Sequence, residues 1–283
     1  MKKIIWISSY PKSGNTWMRS LIANYFYNRN QKINSLDILK NIRKFPNTKM
    51  LESLIPREEI IKNPFIVSKY WLELQKLLTD RNDEFIFLKN HNALISINDT
   101  EFTNENFTLG SIFVVRDPRD IAISYSNFDK TLSINNAVNR LISYGSKDLL
   151  SVVTRDNVYD IEILGSWKFN YISWRDGVKN MPRIIIKYED LLKNTYETFL
   201  KVLDFLSNIL NCEINYNQAK FAVKQSKFSN LKKLETKGFD EYKENVNFFN
   251  NGKSGLWKNF LTDKQIEVIS QEFSKEMKEL NYL

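Results

Sequence analysis

The sequence predicts an α/β protein in which a central parallel sheet lies between two layers of helices. Short apolar runs that are rich in β-branched residues and apolar on both faces are typical of buried parallel strands. Segments with helical spacing separate these runs, and strands that alternate with helices predict a three-layer sandwich. The four predicted strands comprise residues 4–7, 85–88, 112–115 and 184–186.

Four segments have the apolar spacing of helices that bury one face. Residues 17–27 carry apolar side chains at positions 17, 18, 21, 22, 25 and 26. Residues 134–142 repeat this pattern, and Ser133 before them suits an N-cap. Residues 195–206 and 263–280 complete the set.

The composition is that of one globular domain. A chain of 283 residues is long enough for a large domain with a buried core. Hydrophobic residues make up 42% and charged residues 26%, which is ordinary for globular proteins. Eight Gly and six Pro indicate no flexible linker. Two small domains would also fit this length, and the motifs described below favour a single domain over residues 1–283.

The net charge favours an anionic partner. Basic residues exceed acidic ones by 41 to 33, which gives a formal net charge of +8. Such a surplus suits a nucleotide, a sulfated or phosphorylated ligand, nucleic acid or a membrane surface. Nucleic-acid binding usually needs a concentrated basic stripe. Because the charges are spread along this chain, we expect no nucleic-acid partner.

The sequence also predicts a cytoplasmic protein. Cys212 is the only cysteine, so an internal disulfide is excluded and a reducing compartment is favoured. The apolar run at 4–7 is too short for the core of a signal peptide, and polar residues follow at once. No other run approaches the length of a transmembrane segment.

Polar loops follow all four predicted strands, at the edge where open parallel sheets bind ligands. The first loop, residues 8–16, leads into a helix whose N-terminus favours an anion. Gly14 permits close backbone approach, and Lys12 supplies a positive charge. The loop is therefore a predicted anion cradle. It differs from a Walker A loop, which has a leading Gly and places its Lys near the end.

A second anion contact is predicted after the third strand. Arg116 lies in the loop, and Ser124 lies about two turns along the helix that Pro118 begins. Arg can grip a terminal phosphate with two hydrogen bonds, and a hydroxyl can complete the contact. The alternative for Arg116 is an ordinary surface ion pair with a neighbouring Asp.

His91, the only histidine, follows the second predicted strand. A neutral imidazole can take the proton from an attacking hydroxyl near pH 7. A lone histidine is more often a structural residue, and here its position at the ligand edge favours a catalytic role.

These motifs resemble those of the sulfotransferases that use 3′-phosphoadenosine 5′-phosphosulfate (PAPS). The family's first loop reads close to Tyr-Pro-Lys-Ser-Gly-Thr-Thr-Trp, from which residues 10–17 depart only at Asn15. The family also has Arg eight residues before Ser, and Lys-Thr-His where this chain has Lys89, Asn90 and His91. The resemblance implies a fold like that of P-loop-containing nucleoside triphosphate hydrolases, PAPS as co-substrate and no metal.

The resemblance implies roles for the matching residues. Trp17 would stack on the adenine, and Arg116 and Ser124 would bind the 3′-phosphate. Lys12 and Lys89 would stabilise charge on the leaving and transferred groups, while His91 acts as general base in an in-line attack. The residues that would bind the 5′-phosphosulfate are Lys12, Ser13, Gly14, Asn15 and Thr16.

Later segments resemble the rest of the family's donor site. By that match Tyr188 would contact the adenine, Ser226 the nucleotide, and Phe228 would stack opposite Trp17. Gly252 begins the family's Gly-x-x-Gly-x-x-Lys pattern.

The match is incomplete near the C-terminus. The family usually has Arg-Lys before the glycine that corresponds to Gly252, and this chain has Asn250 and Asn251. Asn251 is retained as a predicted donor-site position, and Lys253 is a candidate for the missing charge. A family dimerisation pattern is partly kept, which leaves a homodimer open: Lys258, Thr262 and Glu267 match, and Asp263 replaces the usual Val.

The motifs do not identify the acceptor. The stretches between the motifs, above all residues 28–84, match poorly, and acceptor recognition is expected there. Residues 213–251 are the expected lid over the donor. A small-molecule, carbohydrate or lipid acceptor with a hydroxyl or amine fits. Two alternatives remain: a P-loop-like phosphotransferase, and a non-catalytic nucleotide or anion binder with a weakened donor site.

Overall fold

The computed structural model describes residues 3–28, 31–80, 84–128, 131–143, 150–155, 158–178, 180–235, 249 and 252–283. These residues group into two compact units. The first unit comprises Met1–Tyr10, Arg43–Phe113 and Ser143–Ile185. The second comprises Pro11–Ile42, Val114–Ile142 and Ile186–Leu283.

Nine strands are found in the described part of the chain. They are β1 (Ile4–Ser9), β2 (Arg43–Lys44), β3 (Ile86–Asn90), β4 (Ser96–Ile97), β5 (Thr100–Glu101), β6 (Thr108–Val115), β7 (Leu150–Arg155), β8 (Val158–Ile163) and β9 (Arg183–Lys187). Five of them form the main sheet, in the order β2-β3-β1-β6-β9. β3 pairs in parallel with β1 on one side and with β2 on the other.

The sheet supplies the core of the first unit. All six residues of β1 are buried. The ring of Trp6 packs against Phe45 and Phe102 at centroid distances of 5.3 and 5.2 Å. Its indole N–H donates to Thr108 Oγ1 at 2.9 Å, so the one polar atom of this buried side chain is satisfied.

β3 continues two residues beyond its predicted end. Parallel pairing of Ile7 with Lys89 and of Ser8 with Asn90 carries the strand further. The Asn90 side-chain amide also donates to Ser8 Oγ at 2.8 Å. Lys89 is therefore a strand residue and not a loop residue, and His91 is the first residue after the strand.

A second difference from the sequence analysis is the antiparallel hairpin of β7 and β8. β7 contains Ser, Thr and Arg, and β8 contains Asp and Glu, so neither strand has the continuous apolar pattern that marks the buried strands. The hairpin was not predicted for this reason.

Fourteen α-helices are present in the described residues, together with 3₁₀ turns at Leu36–Asn41 and Pro64–Tyr70. The helices are α1 (Asn15–Phe26), α2 (Thr48–Glu52), α3 (Arg57–Lys62), α4 (Trp71–Thr79), α5 (Pro118–Phe128), α6 (Ile134–Ser143), α7 (Trp167–Asp176), α8 (Tyr188–Lys193), α9 (Thr195–Leu210), α10 (Tyr216–Gln225), α11 (Phe228–Glu235), α12 (Trp257–Phe260), α13 (Asp263–Glu272) and α14 (Ser274–Glu279).

Three of the predicted helices are confirmed, with small changes at their ends. The helix predicted at 17–27 is α1, which begins two residues earlier. The helix predicted at 134–142 is α6, and the Asn136 N–H donates to the capping hydroxyl of Ser133 at 3.2 Å. The helix predicted at 195–206 is α9, which runs four residues further.

The segment predicted to be helical at 263–280 is helical, but it forms two helices. The segment forms α13 and α14, which are separated at Phe273. Phe273 is fully buried, and its non-helical backbone, at φ −110° and ψ 19°, ends the first helix. Apolar spacing does not register such a break, because both helices bury side chains on either side of it.

The predicted α/β class is confirmed: helices flank a central parallel sheet. Within the first unit, Trp174 of α7 stacks on Phe113 of β6 with a centroid distance of 6.3 Å. The single domain over residues 1–283 stays a prediction. None of the helices in the described ranges combines the length and apolarity needed to traverse a bilayer.

Candidate active site

The predicted cradle is a tight turn that leads into α1. Lys12 and Gly14 have positive φ angles of 68° and 105°. A Cβ atom on Gly14 would lie 2.6 Å from Tyr188 Cδ2, so glycine is required both for the backbone angle and for this close approach. The N–H groups of Trp17 and Met18 donate to the Gly14 carbonyl at 3.1 and 3.2 Å. The helix therefore begins at this turn, where its partial positive charge favours an anion.

Buried polar side chains surround the start of α1. Ser13, Asn15 and Thr16 are each less than 5% exposed. The Ser13 hydroxyl has no hydrogen-bond partner among the described residues. Because an unsatisfied buried hydroxyl is unfavourable, this group is suited to contact a ligand in the cradle.

Lys12 is the cation of the cradle. Its ammonium lies 3.9 Å from the centroid of the Phe128 ring, which is a cation–π contact. Burial, followed by the positive charge of Arg116, lowers the pKa of Lys12 to about 7, although Glu235 has the opposite effect. A substantial fraction of Lys12 is therefore neutral at pH 7 when no anion is bound.

Arg116 is held rigidly by the backbone. Its two terminal nitrogens donate to the carbonyls of Lys12 and Lys253, each at 3.0 Å. The guanidinium carbon lies 4.4 Å from the centroid of the Tyr188 ring. The Nε atom is buried without a partner in the described structure. The predicted surface ion pair is not the role of this side chain, because Asp117 pairs with Arg119 at 2.7 Å instead.

A cavity of ≈ 660 Å³, open mouth included, lies within the second unit between these elements. Most of the predicted donor-site residues line it: Lys12, Gly14, Thr16, Trp17, Arg116, Ser124, Tyr188, Phe228 and Gly252. The cavity therefore joins the first loop, the Arg116 segment and three later segments that are far apart in the sequence.

The aromatic walls of the cavity are fixed by specific contacts. The Trp17 indole N–H donates to the Ser226 carbonyl at 2.9 Å, and the Trp17 ring meets Tyr188 edge-on at 5.8 Å. A Cβ on Gly252 would lie 2.8 Å from the Phe228 ring. Gly252 thus packs directly against one of the two rings that were predicted to stack on a base.

Ser226 contacts protein through its side chain. Its hydroxyl is fully buried and lies 2.8 Å from Ser20 Oγ and 3.3 Å from Asn24 Nδ2. A nucleotide contact by this hydroxyl stays a prediction. The backbone carbonyl of Ser226 orients Trp17 by accepting a hydrogen bond from its indole N–H.

The segment from Gly252 to Trp257 is fastened to α5. The Asp120 carboxylate accepts hydrogen bonds from the N–H groups of Gly255 at 2.6 Å and Trp257 at 3.1 Å. Lys253 lines the cavity, and its carbonyl accepts from Arg116. The predicted position Asn251, like Asn250, lies outside the described residues.

The predicted base lies in the first unit. His91 Nδ1 is 2.7 Å from the Ser9 carbonyl oxygen and 3.2 Å from the Ser9 hydroxyl. A carbonyl oxygen can only accept, so Nδ1 carries the proton and Nε2 has a free lone pair. The His91 carbonyl accepts from the Asn170 side chain at 3.0 Å, which fixes the backbone as well.

Burial, and then the positive charges of Lys89 and Lys44, lower the pKa of His91 to about 3, while Glu162 and the Ser9 carbonyl act in the opposite direction. A basic group with a lowered pKa is neutral above that value. His91 is therefore a neutral imidazole throughout the physiological pH range, which is the form that can accept a proton.

Four residues that contact or influence the predicted site residues were not predicted from the sequence. Phe128 lies one turn after Ser124 on α5, and Asp120 lies one turn before it, so helical spacing from Ser124 could have found both. Glu162 and Lys44 form an ion pair of 2.9 Å, but their separation in sequence leaves no local signal.

This chain belongs to the sulfotransferase family, because the sulfotransferase domain matches residues 2–281. Curated relatives include the amine sulfotransferase of Oryctolagus cuniculus, at 24% identity with 97% of this chain and 81% of the relative covered. Sulfotransferase 1B1 of Canis lupus familiaris is 27% identical, with 96% and 82% covered.

Solved structures confirm the predicted P-loop-like fold. Retinol dehydratase in a complex with retinol and PAP gives a TM-score of 0.63 at 16% identity, and the match covers 98% of this chain and 82% of that one. Mouse sulfotransferase SULT7A1 complexed with PAP gives 0.58 at 15% identity, with 98% and 84% covered.

The cradle geometry predicts that Gly14→Ala lowers the free energy of unfolding by about 1–3 kcal/mol, because it adds a steric clash with Tyr188 to an unfavourable φ. Gly255→Ala is the matched control. Gly255 has a φ of 76°, but among the described residues nothing beyond its chain neighbours lies within 4 Å of the place that the added methyl group would take. Urea unfolding measures both. Equal losses in the two variants would contradict the close approach at Gly14.

Proposed function

We propose that this chain transfers a sulfuryl group from PAPS to a hydroxyl or amine of a small-molecule acceptor. One observation carries the proposal: a single cavity is lined by the anion cradle, by Arg116 and Ser124, and by aromatic rings suited to a base. The family membership and the PAP in the complexes of the neighbouring structures support it.

The donor would lie across the second unit. The 5′-phosphosulfate is bound by the cradle residues Lys12 to Thr16, where the N-terminus of α1 and the Ser13 hydroxyl meet it. The adenine lies against Trp17 and Phe228, beside Tyr188. Arg116 binds the 3′-phosphate through the guanidinium N–H groups that do not donate to the carbonyls of Lys12 and Lys253. The Ser124 hydroxyl adds a further contact.

The chemistry needs charge stabilisation and positioning more than covalent participation. The acceptor oxygen or nitrogen attacks sulfur in line with the bond to the leaving phosphate oxygen, and that bond breaks. Lys12 in its charged form stabilises the bridging oxygen of the departing nucleoside bisphosphate. Lys89 stabilises the oxygens of the sulfuryl group. The bisphosphate leaves with the negative charge.

His91 takes the proton of the acceptor at Nε2, because Nδ1–H is already donated to the Ser9 carbonyl. The relatives are named for amines, flavonols and steroids. This variety of substrates among the relatives supports a small organic acceptor. We also propose that the reaction takes place in the cytoplasm.

The first prediction is a ligand ranking. Adenosine 3′,5′-bisphosphate should bind at least about tenfold more tightly than ATP with Mg²⁺ or AMP, because only the bisphosphate occupies both the cradle and the Arg116 contact. Isothermal titration calorimetry measures the three affinities. If Mg²⁺–ATP bound more tightly than the bisphosphate, the sulfotransferase proposal would be wrong and a phosphotransferase would be favoured.

The second prediction is proton uptake on binding. The pKa of Lys12 is about 7 in the free protein, and a bound polyanion favours the ammonium, so binding above pH 7 must take up a proton. At pH 8 the bisphosphate should take up about one proton, and its affinity should fall by up to about tenfold per pH unit above that. Calorimetry in two buffers of different ionisation enthalpy measures the uptake, and Lys12→Met should abolish it. Uptake that survives in the variant would assign the proton elsewhere.

The third prediction separates chemistry from binding. His91→Ala should lower the rate of sulfuryl transfer by about 10²–10⁴-fold, the usual contribution of a general base. Its affinity for the bisphosphate should stay within about twofold of the parent value, because His91 is not among the described residues that line the cavity. A screen of hydroxyl and amine acceptors with labelled PAPS supplies the assay. Lost bisphosphate binding would make His91 a structural residue.

A further inference from the structure

One end of the first unit's sheet gathers four titratable side chains: Lys44, Lys89, His91 and Glu162. Lys44 on β2 is the register partner of Lys89 on β3. The Phe45 N–H donates to the Lys89 carbonyl at 2.8 Å, which holds the two strands together at this point. The parallel pairing therefore sets two lysines side by side, immediately before His91.

Glu162 is brought to the same place by the last residues of β8. The Ile163 N–H donates to Asn92 Oδ1 at 2.8 Å, and the Ile163 carbonyl accepts from the Ala93 N–H at 2.7 Å. These two bonds fasten the end of β8 to the residues that directly follow His91. Glu162, next to Ile163, then meets Lys44 at 2.9 Å.

The ion pair is largely withdrawn from solvent. The side chains of Lys44 and Glu162 are 15% and 10% exposed. Burial raises the pKa of Glu162, but the charges of Lys44, His91 and Lys89 outweigh this and lower it to about 2. Glu162 is thus an anion at every physiological pH. A buried ion pair contributes little net stability on average, so its presence here calls for another explanation.

The charge balance around His91 supplies that explanation. Lys44 and Lys89 carry two positive charges, and among the described residues that act on the imidazole Glu162 carries the only negative charge. From the other elements the ring meets the neutral Ser9 carbonyl, and the His91 backbone meets the neutral Asn170 amide. Without Glu162, a proton arriving on His91 would face two uncompensated ammonium groups.

We propose that Glu162, held in place by Lys44, is a positioning residue that offsets the positive charge that His91 acquires when it takes the acceptor's proton. This inference rests on the proposed role of His91 as the base. The proton passes from the acceptor to Nε2, while Nδ1–H stays on the Ser9 carbonyl. The negative charge of Glu162 then offsets the charge of the imidazolium, which returns the proton to solvent after the product leaves.

A histidine titration tests the interaction directly, because the only imidazole in the chain is that of His91. Its ¹³Cε1 and ¹⁵N chemical shifts report the titration midpoint and the tautomer. Lys44→Met should raise the midpoint, since it removes a repulsive charge and leaves Glu162 to act on His91 alone. Adding Glu162→Gln to Lys44→Met should bring the midpoint down again by about one pH unit.

The difference between these two variants isolates Glu162, because Lys44 is absent from both. Equal midpoints would overturn the proposal. The Nδ1–H tautomer should persist in every variant, since the Ser9 carbonyl fixes it. Tryptophan fluorescence at each pH confirms that the chain is folded. If acid unfolding precedes the titration, turnover at pH 7 decides instead.

In the turnover measurement, Glu162→Gln should lower kcat by about tenfold or more, the equivalent of one pKa unit of lost interaction. Glu162→Asp should restore part of it, and bisphosphate affinity should not change. Asp37→Asn is the matched control, because it removes the carboxylate of an exposed pair with Lys40 of 2.6 Å. It should leave kcat unchanged.

The results also separate this proposal from the proposed function. If His91→Ala abolishes transfer but Glu162→Gln does not lower kcat, the positioning role is overturned and the base remains. If wild-type protein and His91→Ala transfer equally well, the base fails, and with it the catalytic meaning of Glu162. A loss of kcat in Glu162→Gln with a matching loss of bisphosphate affinity would mark a general structural defect and overturn the proposal.

Discussion

The close approach of Gly14 to Tyr188 is the constraint on which the cavity of the second unit depends. It requires a residue without a side chain at a φ of 105°, and it sets where α1 begins. The same turn places the Lys12 carbonyl so that it accepts from Arg116. Trp17, in the first turn of the helix, then reaches the Ser226 carbonyl. The backbone conformation of the turn at Gly14 thus positions the cradle, Arg116 and the aromatic wall of the cavity.

Among the described residues, burial lowers the pKa of two basic groups, and the consequences differ. Lys12 has a pKa near 7, so an arriving anion can restore its charge. His91 has a pKa near 3 and stays neutral, as its proposed role as the base requires. Nearby cations contribute to both changes: Arg116 acts on Lys12, while Lys89 and Lys44 act on His91. Of these two groups, His91 is the one influenced by Glu162, a buried carboxylate whose own pKa is lowered to about 2.

Much of the fold could be predicted because the buried strands and helices have strong local patterns. β1, α1, α6 and α9 follow from apolar periodicity and capping. The patterns failed where partners decide the outcome. β3 extends to Asn90 because β1 pairs with it, and the polar hairpin of β7 and β8 has no apolar run to reveal it. The break at Phe273 reflects tertiary packing of a buried ring.

The sequence by itself determined the chemistry available at each strand end: a glycine where the backbone must turn, a lysine and hydroxyls before a helix, an arginine with a serine two turns on, and a single histidine. These signals are local, since residues within one turn or loop act together whatever surrounds them. Only the tertiary structure decided which distant side chains act on them. Three contacts join residues that are distant in sequence: the ion pair of Lys44 with Glu162, the Phe128 ring under Lys12, and the hydrogen bonds of Ser226 to protein. Burial sets the strength of the electrostatic interactions among the charged groups.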